Sequence, residues 1–165
     1  MTDPIPPITI QTRKHHLSCI EHPIDSAYAQ QLWYIVSGAT ECGGLGGGSW
    51  GWCCHPVENW KRYNDCKDEE YSATNPFVSA RMVNAEDDEI MSPFYRITAQ
   101  WLHSKVVKFV NDKKMPKHLR AHYAELLVTR ELPNDHDAVT CDALMQYAFV
   151  GEIVFGWLTT PPHYE

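Results

Sequence analysis

The pattern of apolar and polar positions is clearest in the second half of the chain. Ser92-Pro93 reads as a cap followed by proline in the first helical position, opening a helix to about Asp112. Within it Phe94, Ile97, Trp101, Leu102, Val106, Phe109 and Val110 recur at helical spacing over a wide arc, which predicts packing on more than one side. After a turn over Asp112–Met115, Pro116 begins a second helix with Leu119, Tyr123, Leu126 and Leu127 on one face. The run ELPNDHD breaks the pattern, and Asp135 or Asp137 then caps a third helix through Cys141, Leu144, Met145, Tyr147, Ala148 and Phe149. That helix is apolar almost all round and belongs at the centre of the core. For residues 152–158 periodicity does not choose between helix and strand.

The first half is less regular. Prolines 4, 6, 7 and 23 make residues 1–24 an extended arm. A helix is expected over residues 25–38, with Tyr28, Leu32, Ile35 and Val36 at helical spacing and Gly38 as its stop. Residues 41–76 read as a large irregular loop rich in Gly, Trp and Cys, and Phe77–Val83 as a short strand. The expected fold is mainly α: one compact helical domain over residues 1–165, its helical core at 92–158, with one or two short strands. An α+β arrangement is the alternative.

Charge narrows the range of partners. A formal net charge of −7 argues against a general nucleic-acid binder, because neutralising phosphates takes Lys and Arg. The basic residues concentrate between Lys105 and Arg120, against one acid, Asp112. A solvated helix face explains that stretch, and it leaves room only for weak nucleic-acid contact there. The opening MTDPIPPITIQTRKHH has no apolar signal-like segment, and the longest apolar run, Ala148–Leu158, is broken by Glu152. A cytoplasmic protein with no membrane association is expected, so the six cysteines should be free thiols or metal ligands.

Residues 41–66 hold four of those six cysteines and three of the six tryptophans among closely spaced glycines. Cys42, Cys54, His55 and Cys66, with Cys53 beside them, are ligand types suited to a structural zinc, which would order a loop with little regular structure. Against zinc, the CxxC knuckle is absent, and buried free thiols are the competing reading. His118 and His122 share a helix face at i, i+4, but no Glu follows the first His, which removes the metalloprotease reading and favours surface or interface histidines. Helix capping accounts for Asp135-His136-Asp137. Neighbouring Cys54 and His55 match no local signature of a cysteine hydrolase, and GGLGGGS lacks the lysine of a phosphate-binding loop.

Trp50, Trp52, Trp60, Arg62 and Tyr63 are of the types that dominate interface hot spots. The function expected is therefore a non-enzymatic protein-binding module, a regulator, inhibitor or accessory subunit that engages another protein through this aromatic segment. The alternative is a hydrolase-type enzyme, metal- or cysteine-dependent, centred on residues 42–66. Cys53 or Cys54 within hydrogen-bond reach of a helix-borne His in a cleft would favour the enzyme, whereas Cys42, Cys54, His55 and Cys66 around one closed point would indicate structural zinc.

Overall fold

The computed structural model describes residues 24–42, 50–55, 76–84 and 87–155. Among them are four helices and three strands, in the order α1 (Ser26–Cys42), β1 (Trp50–His55), β2 (Pro76–Asn84), β3 (Tyr95–Thr98), α2 (Ala99–Asn111), α3 (Lys117–Thr129) and α4 (Ala138–Val150). The chain is mainly helical, as its periodicity predicts, and the strands form one antiparallel sheet in the order β1-β2-β3. A single core cluster joins Leu32 and Ile35 of α1, Met82 of β2, Ile97 of β3, Phe109 of α2, Leu126 of α3 and Leu144 of α4.

Helix α4 takes the central place expected of it, with every residue from Cys141 to Phe149 buried. Asp137 is its N-cap: the carboxylate accepts the Thr140 N–H at 2.8 Å, and Thr140 Oγ1 accepts the Asp137 N–H at 3.2 Å. This reciprocal pair satisfies two of the backbone donors that a helix start leaves over. Gly151, at φ 82°, ends the helix in the left-handed conformation that glycine adopts without penalty.

Four boundaries differ from the sequence pattern, each for a tertiary reason. Gly38 does not stop α1, which continues to Cys42. The glycine instead permits a close approach to α4, since a Cβ there would lie 2.9 Å from Cys141 Sγ. Ser92-Pro93 does not open a helix. Ser92 Oγ accepts the Met82 N–H at 3.0 Å, Tyr95–Thr98 pairs with β2, and Thr98 caps α2 by accepting the Trp101 N–H. Within the predicted loop 41–76, residues 50–55 form β1 along the other side of β2. Residues 151–155 are neither helix nor strand: Gln146 Oε1 accepts the N–H groups of Val154 and Phe155, and Gln146 Nε2 donates to Phe155 O. The predicted arm at 1–23 and residues 156–158 lie outside the described residues.

The helix contact at Gly38 yields a prediction. Alanine at position 38 gains about 1 kcal/mol of helix propensity but overpacks a buried sulfur, at a cost of about 1–3 kcal/mol. Gly38→Ala should lower stability in chemical denaturation, and in a Cys141→Ala background the same substitution should be neutral or stabilising. Equal effects in both backgrounds would refute the contact as the cause.

Candidate functional site

Of the residues singled out in the sequence, Trp50, Trp52, Cys54 and His55 lie on β1, and Cys42 is the last residue of α1. Trp60, Arg62, Tyr63 and Cys66 fall outside the described residues. The antiparallel register sets Trp50 opposite Asn84, Trp52 opposite Met82, Cys54 opposite Ala80 and His55 opposite Ser79. Strand β1 occupies an outer position in the sheet, with β2 as its partner among the described residues. Among those residues no group of three or more His, Cys, Asp or Glu side chains is placed to hold a metal ion.

The densest polar cluster lies elsewhere, where α3 and its connection to α4 meet α1. The pair His118 and His122 is divided between two environments: His118 is exposed, whereas His122 is 8% exposed and belongs to the interior. His122 Nδ1 lies 3.4 Å from Asp135 Oδ1, and its ring stacks on His136 with centroids 6.3 Å apart. Cys141 Sγ is 3.4 Å from His136 Nδ1 and 3.6 Å from Nε2. A sulfur in line with either nitrogen's lone pair would stand much farther from the other, so the near-equality sets Sγ over the ring face. That is neither the in-plane approach of a thiol to its general base nor the geometry of two ligands sharing a metal. With Cys141 fully buried, the thiol–imidazole contact is packing.

A second pair, buried Tyr28 and half-buried His103, joins α1 to α2. Tyr28 OH and His103 Nδ1 are 2.8 Å apart, and the Arg130 guanidinium lies 4.2 Å from the Tyr28 ring centroid. Arg130 reaches this place from the end of α3, where its φ of 63° puts a non-glycine residue in the left-handed region. Burial, with a smaller contribution from the Arg130 charge, lowers the His103 pKa to about 4. Tyr147 OH donates to Asp112 Oδ2 at 3.1 Å, and burial followed by the Asp112 charge raises its pKa to about 12.

The aromatic surface that sequence reasoning missed is at the start of α2. Tyr95, Trp101 and Phe149 lie 5.3–6.3 Å apart, and Lys105 Nζ sits 5.2 Å from the Trp101 centroid and 5.7 Å from that of Tyr95. Burial and then neighbouring Lys108 lower the Lys105 pKa. Trp101 and Lys105 are i, i+4 partners, a spacing visible in the sequence. Tyr95 and Phe149 come from β3 and α4, and nothing local announces them.

These observations define a mainly helical chain with a small antiparallel sheet, no described helix of which is long and apolar enough to cross a membrane. No family model, curated protein or solved structure matches it.

The half-buried His103 makes stability depend on pH. Its pKa is lowered in the folded state from 6.5 to about 4, so the unfolded chain takes up the proton first. The stability it contributes is complete above pH 6.5 and declines as pH falls toward 4. Discounted for its partial exposure, the loss is about 1–2 kcal/mol. Urea melts of wild type and His103→Gln between pH 7.5 and 4 should show a shallower decline in the variant, and parallel curves would contradict this assignment.

Proposed function

We propose that the protein is a non-enzymatic binding module of the cytoplasm, a regulator, inhibitor or accessory subunit that engages another protein through the aromatic segment around β1. The observation that supports the reading is the position of Trp50 and Trp52 on a strand that is outer in the sheet among the described residues. An outer strand has a row of backbone N–H and C=O groups available to a further chain. Strand addition draws affinity from those groups and selectivity from the side chains between them. Tryptophan supplies the largest apolar area per residue and is the residue most enriched in hot spots. Trp60, Arg62 and Tyr63 extend the same segment along the chain.

The test is quantitative capture from cytosol with the full-length protein, comparing wild type with Trp50→Ser/Trp52→Ser. A partner of this segment should be recovered at least tenfold less by the variant, while circular dichroism shows both proteins equally helical. Identical recovery by two folded proteins would overturn the proposal.

A further inference from the structure

We propose that the stacked His122–His136 pair is a proton-operated latch, which releases the α3–α4 connection, residues 130–137, at mildly acidic pH while the helical core stays closed. The geometry at His122 supplies the trigger. Its Nδ1 faces the Asp135 carboxylate at 3.4 Å, so the neutral ring carries its hydrogen there and Nε2 bears the lone pair. Nε2 is buried and has no hydrogen-bond partner. As a bare acceptor it already carries a desolvation cost, and protonation raises that cost by turning it into a buried donor with no acceptor, on a ring that is now charged.

The surroundings offer one proton partial compensation and oppose a second. Facing His122 are Glu125 from its own helix and Asp135 and Asp137 from the connection. The Asp137 side chain already serves as the cap of α4. From α4 His136 meets the Cys141 sulfur, and from α1 it faces Gly38, which has no side chain, so neither is an anion partner. Two imidazolium rings with centroids 6.3 Å apart, one buried and one half-buried, repel each other. Burial is the largest influence on both histidines and lowers both pKa values, against the pull of the carboxylates.

The connection is anchored at its two ends and at Leu132–Pro133, and exposed between them. Leu132 N–H donates to Gln31 Oε1 at 2.9 Å and its side chain packs on the core, Pro133 is buried and accepts the His136 N–H, Arg130 lies against the Tyr28 ring, and Asp137 caps α4. Glu131, Asn134, Asp135 and Asp137 are exposed. Segments with few buried contacts open at lower free energy than the core. Once released, each histidine regains an ordinary pKa, so at pH 5.5 each raises the opening equilibrium by up to about tenfold, and the two together by up to about a hundredfold.

Hydrogen exchange of the full-length protein, read by mass spectrometry at pH 7.5 and 5.5 and corrected for intrinsic rates, tests this. On acidification the amides of residues 131–137 should lose at least tenfold protection while still exchanging faster than those of residues 105–111 in α2, whose own loss includes that of His103. In His122→Gln/His136→Gln the loss at residues 131–137 should vanish. Asp135→Asn, at an exposed position, keeps the fold and removes the charge that shelters the first proton. It should open more than wild type at pH 5.5 and match it at pH 7.5. An undiminished loss at residues 131–137 in the double variant, or an Asp135→Asn response identical to wild type at both pH values, would overturn the latch.

Discussion

Between Cys141 and Phe149 helix α4 buries every residue, Asp142 and Gln146 included. A helix without a solvent face has to be walled on all sides, and the other elements can be understood as its walls. Helix α1 approaches along the side marked by Gly38, where only a missing Cβ permits the contact with Cys141. Helix α2 lies against another side, with the Phe109 ring edge-on to Tyr147 at 5.0 Å. Each large apolar side chain removed from water contributes about 1.5–3 kcal/mol, so the buried row on α4 is a major source of cohesion. The buried polar Gln146 is tolerated because both ends of its amide are used, holding residues 154–155 in place of a regular element.

The buried titratable groups follow from the same closeness. Tyr28 and His103 satisfy each other across α1 and α2. Tyr123 donates to Thr140 O at 2.6 Å, across the junction of α3 and α4. Each such bond ties two helices at one point and requires one protonation state. The price is sensitivity to acid, because an imidazole that fits as a neutral ring does not fit as a cation. The core contacts and the α3–α4 connection thus respond to the same variable with different strength: the core through His103, paired with the Tyr28 hydroxyl, the connection through a histidine stack near the surface.

The sheet packs against this helical centre through β2 and β3, and its strand β1 carries the tryptophans that motivate the proposed binding role. Strand β2 joins it to the core through Ala80 and Met82, both fully buried, and Ile97 of β3 adds a third anchor. On the proposed reading, a strand fixed in register by β2 and outer among the described residues would suit recognition, because its geometry is set in advance.

Much of the helical half was legible from residues alone. The i, i+3, i+4 spacing of Leu119, Tyr123, Leu126 and Leu127 placed α3, and the all-round apolarity of Cys141–Phe149 put α4 in the centre, because burial on one face or on all faces leaves its own periodicity. A cap at Asp135 or Asp137 was readable for a similar reason, because a capping bond is local; the bond to Thr140 three residues on chooses Asp137. Local pattern failed where a distant partner decided. Gly38 looked like a stop, and only the Cys141 sulfur across the interface makes it a contact point within a continuing helix. Ser92-Pro93 looked like a helix start, but the edge of β2 claims Tyr95–Thr98 as a strand and moves the cap to Thr98. His122 and His118 looked like one face, yet packing buries one and leaves the other in water. Periodicity records how much of an element is buried; which residues meet across that burial is settled only when the elements come together.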